Sequence, residues 1–257
     1  MLKPRSTPLA NVEKTNTGWR LQIPAGEAGK YRLAQLDDYG ALARGNFPVN
    51  PPASLSLACR VSSTNIPGTW GFGFWNDPFT VSLGLQGSGQ RLPMLPNCCW
   101  FFNASPENHL SFHNQFHGSG FLAQVFQSPR IPSMLLLPGL LGLPLLAIKP
   151  LSRWLRSITG SIITEDSRLL EVDTTQWHAY SLSWEADTVT FSVDNSVVFQ
   201  SQLRPIGPLG LVIWIDNQYA AWTASGIVRY STLQQTAPQW MEIENLEIKS
   251  AIRSSEK

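Results

Sequence analysis

The sequence predicts an all-β protein, an antiparallel β-sandwich with one hydrophobic, partly helical insertion. Short runs rich in β-branched and aromatic residues recur along the 257-residue chain, and Gly, Pro, Asn or Asp bounds them. Each run alternates polar and apolar residues, or is continuously apolar, over the length of one strand. Chains of this length often form one β-sandwich domain, so we expect residues 1–257 to be a single domain.

The predicted strands follow one another from near the N-terminus to near the C-terminus. The stretch DTVTFSVDNSVVFQS predicts a β-hairpin, because Asp194, Asn195 and Ser196 favour a turn between two alternating runs. The other predicted strands are, in chain order, WRLQIP, SLSLACRVS, TWGFGFWN, CCWFFNAS, HAYSLSWE, LGLVIWIDN and WMEIENLEIK.

One region, residues 119–170, departs from this pattern and predicts an insertion within the sandwich. Residues 131–148, IPSMLLLPGLLGLPLLAI, carry no charge, and the following KPLSRWLRSITGSIITED repeats apolar residues at the spacing of an amphipathic helix. Pro150 suits the first turn of that helix. Prolines and glycines interrupt the apolar run, so we expect no transmembrane helix. Two interpretations stay open: a hydrophobic lid on the sandwich, or a loop that dips into a membrane or receives an apolar ligand.

Composition argues against several classes of function. Only 14% of residues are charged and the net charge is +1, without a run of Lys or Arg, so we expect no nucleic-acid binding. The N-terminus lacks the apolar region of a secretory signal, and we therefore expect a cytoplasmic protein. Three cysteines, two of them adjacent, predict buried reduced thiols. His113 and His117 lack a nearby third ligand, and the sequence shows no phosphate-binding glycine loop, so we expect neither a metal nor a cofactor.

Two stretches resemble a known family. PGTWGFGFWNDPF resembles the G-x-W-P-A-F-W strand of family 16 glycoside hydrolases, and WHAYSLSWEADTVTFSVDNSVVFQ resembles their H-T-Y-x-x-x-W-x-x-x-x-I-x-F-Y-V-D-G hairpin. The resemblance runs from Leu55 to Ile248 and indicates the concanavalin A-like lectin/glucanase superfamily, which implies a jelly roll with a concave carbohydrate cleft. It also implies a catalytic E-x-D-x-x-E strand, but the stretch at that place, PNCCWFFNASPENHL, has Glu107 as its single carboxylate.

Strand alternation predicts what the first tryptophan-rich strand presents on each face. Alternate side chains point to opposite faces, so one face of TWGFGFWND is a core stripe and the other carries Gly71, Gly73, Trp75 and Asp77. Glycines within a strand mark the close approach of a ligand or of another backbone. Here they predict a trough beside an aromatic ring.

The strand LGLVIWIDN repeats this arrangement, with Trp214, Asp216 and then Gln218 opposite its core face. In the topology that the resemblance implies, both strands contribute to one concave surface. Aromatic rings beside polar side chains suit a sugar, whose C–H faces stack on rings while its hydroxyls need donors and acceptors. The open alternative is that the Asn and Asp side chains only form turns. The candidate ligand contacts are Trp75, Asn76, Trp214, Asn217, Gln218, Trp100 and Asp37, and the candidate catalytic residues are Asp77 and Asp216.

We therefore expect a lectin-like protein that binds a carbohydrate or glycoconjugate in an aromatic cleft, without the usual glucanase chemistry. Two alternatives stay open. The first is an enzyme that acts on a hydrophobic intracellular substrate in the same cleft, with an Asp as acid or base. The second is a membrane-surface protein with peripheral contact through residues 131–148.

Overall fold

Two seven-stranded sheets face each other, as the predicted sandwich requires. The computed structural model describes residues 2–78, 91–136 and 143–251. The described strands are β1 (Lys3–Ser6), β2 (Asn11–Lys14), β3 (Gly18–Ile23), β4 (Leu33–Asp37), β5 (Ala53–Val61), β6 (Thr69–Trp75), β7 (Cys98–Ala104), β8 (Gly120–Gln127), β9 (Thr164–Leu169), β10 (His178–Trp184), β11 (Val189–Val193), β12 (Ser196–Ser201), β13 (Gly210–Asp216), β14 (Gln218–Trp222), β15 (Val228–Thr232) and β16 (Gln239–Ser250).

The sheet order confirms the all-β jelly-roll sandwich. The first sheet has the order β1-β4-β13-β6-β7-β8-β9, and the second has the order β12-β11-β10-β5-β16-β3-β2. Neighbouring strands pair antiparallel throughout both sheets. β14 and β15 form a separate two-stranded ribbon.

The predicted hairpin and the predicted strands are present. β11 and β12 pair directly, and Asp194 and Asn195 between them have φ values of 50° and 65°. Two consecutive residues with positive φ form the kind of tight turn that matches the twist of a hairpin, and Asn and Asp tolerate that conformation. β8, with the sequence GFLAQVFQ, was not among the predicted strands.

The main core lies between the two sheets. Alternate residues of β6 and β13 point into it, and the second sheet meets them with rings such as Tyr180, which lies 5.2 Å from Phe72 between ring centroids. All three cysteines are free and buried, and burial raises the pKa of the Cys59 and Cys99 thiols. The other face of the first sheet carries a second apolar cluster.

The region expected as an insertion, residues 119–170, contributes both strands and helix. β8 and β9 belong to the first sheet. Between them lie a short 3-10 helix, Leu143–Ala147, and the predicted amphipathic helix, α1 (Lys149–Ile162), which has Pro150 in its first turn. Across the described residues, no helix combines the length and the apolar character that a bilayer span needs.

Candidate functional site

Cross-strand register determines which residues meet on the outer face of the first sheet, the face that points away from the second sheet. Trp214 of β13 lies opposite Gly71 of β6, and Gly71 lies opposite Phe102 of β7. One row further along, Gly73 lies opposite Trp100. The outer face thus places bulky rings from two strands on either side of a strand whose outward positions here are glycines.

The rings form one packed group, which we call the outer aromatic cluster: Trp75, Trp100, Phe102 and Trp214. The Trp75 and Trp214 rings stack with centroids 6.2 Å apart and planes 7° from parallel. Trp100 contacts Trp214 at 5.4 Å and stacks on Phe102 at 5.2 Å. Pairs at these distances add stabilisation of ~0.5–1.5 kcal/mol each beyond the area they bury. The cluster is therefore a cohesive part of the fold.

The trough that the glycines predict is filled by the protein itself. A Cβ atom at Gly71 would lie 2.9 Å from Cη2 of Trp214, and one at Gly73 would lie 2.6 Å from Cβ of Trp100. Glycine at these two positions allows the tryptophans to pack against β6, because a side chain at either position would collide with them. The close approach that the pattern predicts is real, but the approaching group is a neighbouring side chain or backbone rather than an open ligand site.

Accessibility differs within the outer aromatic cluster. Trp100 and Trp214 are 7% and 8% exposed, whereas Trp75 is half-buried. Of these three candidate contacts, Trp75 therefore has the ring face or edge that a ligand reaches most easily. Trp100 and Trp214 support it from beneath.

Asp216 lies at one end of the outer face in a closed hydrogen-bond group. Thr69 Oγ1 donates to its Oδ1 at 2.8 Å, and the Tyr31 hydroxyl donates to its Oδ2 at 3.2 Å. Trp214 Nε1 in turn donates to Thr69 Oγ1 at 3.0 Å. Burial raises the pKa of Asp216 to about 6, although these hydrogen bonds act in the opposite direction. Asp216 can therefore exchange a proton near neutral pH.

Asp77 occupies a different environment. It follows the end of β6 with a positive φ of 51°, and its carboxylate forms an ion pair with Arg91 at 2.5 Å. Arg91 also donates to the carbonyl oxygens of Tyr39 and Leu42, at 2.9 Å and 2.7 Å. The carboxylate of Asp77 thus helps to hold Arg91 against the loop after β4.

The two candidate catalytic aspartates do not form a pair. Asp216 lies opposite Thr69 at the start of β6, whereas Asp77 lies two residues beyond the end of β6 at Trp75. At ~3.3 Å per residue, the length of β6 separates their positions by roughly 20 Å. Glycosidase carboxylates lie ~5–10 Å apart, so these two side chains cannot share one glycosidic bond.

Three other candidate contacts are buried, and they are Asp37, Asn76 and Asn217. Asp37 is 1% exposed and accepts hydrogen bonds from Gln35 Nε2 at 2.9 Å and from the backbone N–H of Gly40 at 2.7 Å. Asn217 is fully buried, and its amide braces loops through Arg32 N, Lys30 O and Leu233 O.

Asn76 and Gln218 complete the candidate set. Asn76 is 4% exposed and links the ends of β6 and β7, since its Nδ2 donates to Leu95 O at 2.8 Å and its Oδ1 accepts from Asn97 N at 3.0 Å. Gln218 is half-buried, and its backbone N–H donates to Asp216 at 3.2 Å. The hydrogen bonds of Asn76 and Asn217 therefore join loops, whereas Asp37 also contacts Gln35 of its own strand and Arg5 of β1.

Gln124 is a functional candidate that the sequence reasoning missed. It lies opposite Trp100, is 1% exposed, and accepts a hydrogen bond from Trp100 Nε1 at 3.1 Å. Its amide nitrogen is buried without a hydrogen-bond partner among the described residues. The available signal was one glutamine in the otherwise apolar run FLAQVF.

The strand at the place of the family's catalytic strand carries no acid. The outward residues of β7 belong to the apolar cluster of the outer face, and they are Cys98, Trp100, Phe102 and Ala104. Over residues 2–78, 91–136 and 143–251, no three His, Cys, Asp or Glu side chains group as a metal site would require. β7 therefore contributes aromatic and small apolar side chains to the outer face, and no carboxyl group.

No protein-family model matches the chain, and no curated protein matches it in sequence. Solved structures similar to it include the carbohydrate-binding module CBM66 from Bacillus subtilis (8% identity, 96% of this chain and 95% of that chain, TM-score 0.41). They also include a legume lectin-like domain from Entamoeba histolytica (8%, 97% and 89%, TM-score 0.47). A GH16 protein from Bacteroides ovatus, a member of the family that the sequence resembles, is a third (10%, 94% and 94%, TM-score 0.43). At identities of 8 to 10%, the likeness concerns the fold alone.

Proposed function

We propose that the chain is a lectin-like protein that binds a carbohydrate or glycoconjugate on the outer face of its first sheet. The observation that carries this proposal is the outer aromatic cluster, in which half-buried Trp75 packs against Trp100 at 6.0 Å. Trp100 Nε1 donates to the side-chain oxygen of Gln124, whose amide nitrogen has no hydrogen-bond partner among the described residues. A sugar needs the same two features, an aromatic surface for its C–H groups and fixed polar groups for its hydroxyls.

The energetics of Gln124 support a polar ligand. A buried amide N–H without a partner costs about 1–3 kcal/mol, and a hydroxyl oxygen that accepts from it removes that cost. The side chain keeps its orientation because Trp100 Nε1 donates to its other end. The amide nitrogen is therefore held in one orientation, and because it is buried a ligand reaches it only if the side chains that cover it move.

The positions of the carboxyl groups support binding without hydrolysis. Retaining and inverting glycosidases both need two carboxyl groups that flank the scissile bond. The outward residues of β7 provide none, and Asp77 and Asp216 lie at opposite ends of β6. β7 therefore lacks the acid pair of the catalytic strand in family 16 glycoside hydrolases, and Asp77 and Asp216 do not replace it.

One observation favours an enzyme as the second candidate. Asp216 is buried beside Tyr31, and its pKa of about 6 suits a general acid or base near neutral pH. A single such residue could act on a hydrophobic substrate rather than on a glycan. Loss of turnover in Asp216→Asn, with binding retained, would support this candidate over the lectin.

The experiment is a thermal-shift screen against β-glucan, galactan and cellulose-type oligosaccharides, followed by calorimetric titration of any sugar that shifts the midpoint. Ligand at one hundred times its Kd stabilises the native state by about 2.7 kcal/mol, which shifts the midpoint measurably. The test variants are Trp75→Ala and Gln124→Met. Trp177→Ala is the matched control, because Trp177 is 38% exposed and packs on Arg60 of the second sheet.

We expect both test variants to weaken binding at least tenfold, and the control to bind like the parent protein. No sugar that shifts the midpoint, or equal affinity in Trp75→Ala and the parent protein, would contradict the proposal.

A further inference from the structure

Exposed apolar side chains concentrate on α1 and on the turn before it. Trp154 is 59% exposed, and Ile158 and Ile162 are each 37% exposed. Spacings of four residues place these three on one side of the helix. The preceding turn adds Leu145 at 45% and Ile148 at 54%. We call these five residues the helix surface.

The helix is held to the sandwich by its polar side. Ser152 is fully buried and accepts a hydrogen bond from Trp222 Nε1 at 3.0 Å. Arg156 is 6% exposed and donates to Trp222 O at 2.9 Å and to Ser111 O at 3.0 Å. An amphipathic helix of a globular protein normally buries its apolar stripe instead. Here the sandwich contacts the polar residues of α1, and much of the apolar stripe of the helix stays exposed.

The chain segment that carries the helix surface has charge of one sign up to Glu165. Residues 128–164 contain four of the chain's 19 basic residues and none of its 18 acidic residues, which leaves 15 basic and 18 acidic residues elsewhere. Arg130, Lys149 and Arg153 are exposed. The ion pairs found in the described part of the chain include none of these three. Their charge is therefore available to an anionic partner.

A polar cavity lies beside the same helix. It has a volume of about 400 Å³, and Arg153, Ser157 and Ser161 of α1 line it together with Asn114. No carboxylate lines it. The helix thus combines an exposed apolar stripe with a basic, hydroxyl-bearing cavity on its other flank.

We propose that the helix surface docks on an anionic lipid bilayer, with α1 lying in the interface. Apolar residues of interfacial helices enter the bilayer by ~5–10 Å, tryptophan prefers the headgroup level, and basic side chains are attracted to anionic headgroups. Trp154, the isoleucines and the unpaired cations supply all three features. The outer aromatic cluster contains none of the five residues of the helix surface, so this site and the proposed glycan site use different side chains.

The test is co-sedimentation of the full chain with vesicles of phosphatidylcholine alone and of equal parts phosphatidylcholine and phosphatidylglycerol, at low and at high salt. We expect binding to the anionic vesicles that weakens with salt, because ions screen surface charge. Lys149→Gln and Arg153→Gln should each weaken binding roughly fivefold. Trp154→Ala combined with Ile158→Ser should weaken it by more than about tenfold.

Val197→Ser is the matched control, since Val197 is 64% exposed on β12 of the second sheet and should leave binding unchanged. Thermal unfolding of each variant checks that it is folded, and the two charge variants test the site even if the apolar variant unfolds. Absence of vesicle binding, or equal binding by the parent and all the helix variants, would overturn the proposal. Self-association that Trp154→Ala abolishes, without vesicle binding, would instead identify a second copy of the chain as the partner. The sugar screen depends on Trp75 and Gln124 rather than on the helix surface, so either proposal can fail without the other.

Discussion

Trp75 and Trp214 form a nearly parallel stack, with 6.2 Å between ring centroids and 7° between planes. The two rings differ in exposure and in hydrogen bonding. Trp214 is 8% exposed and donates to Thr69, whereas Trp75 is half-buried. Substitution of Trp75 should therefore report on ligand binding. Substitution of Trp214 should report first on stability.

Trp214→Ala should destabilise the fold by about 3–5 kcal/mol. The substitution removes a buried ring from the outer aromatic cluster and leaves a cavity, which is the usual basis of such losses. It also leaves Thr69 without the indole donor. Urea unfolding of the variant and the parent protein measures the difference. A loss below about 1 kcal/mol would show that the ring contributes little to the packing that the structure shows.

Gly71→Ala should destabilise the fold by about 1–3 kcal/mol. The new methyl group would lie 2.5 Å from Phe101 O as well as 2.9 Å from the Trp214 ring, so either the strand or the ring must shift. Gly45→Ala is the control, because nothing lies within 4 Å of its added Cβ. Unfolding midpoints in urea compare the two. Equal midpoints for Gly71→Ala and the control would mean that the outer face has room the structure does not show.

Stability should fall as the pH rises from about 4 to about 6. Burial raises the pKa of Asp216 from 3.8 to about 6, and burial likewise raises that of Asp38 to about 6. Between the unfolded and folded pKa values the native state binds more protons, so the free energy of unfolding decreases with pH and levels off above the folded pKa. For Asp216 the change is up to about 3 kcal/mol.

Asp216→Asn and Asp38→Asn should each flatten this pH dependence, and the double variant should keep only a smaller part, because burial also raises the pKa of Glu165. Urea unfolding at pH values across the window measures the slope for each protein. Stability that rises through the window, or an unchanged slope in the double variant, would show that these carboxyl groups are not protonated in the native state near pH 5.

The local elements were readable from sequence because periodicity and turn chemistry act over a few residues. The hairpin turn at Asp194–Asn195 and helix α1 both form where the pattern predicts them. The absence of acids from β7 was equally plain, because it needs only the strand and its alternation. β8 went unpredicted, although it lies inside the first sheet.

Only the tertiary structure shows which residues cover the outer face of the first sheet and which side of α1 is buried. The glycines of β6 predicted close approach, but only the packed sheet shows that Trp214 itself fills the space over Gly71. The Trp–Asp pattern suggested two aspartates on one surface, but antiparallel pairing sends Asp77 and Asp216 to opposite ends of β6. The amphipathic pattern of α1 did not predict which side of the helix would face the sandwich. The polar side does, and Arg156 holds it there by hydrogen bonds to the carbonyl oxygens of Trp222 and Ser111. Sequence determined which elements form, because their causes are local, whereas contacts between residues far apart in the chain determined which side chains remain available to a ligand.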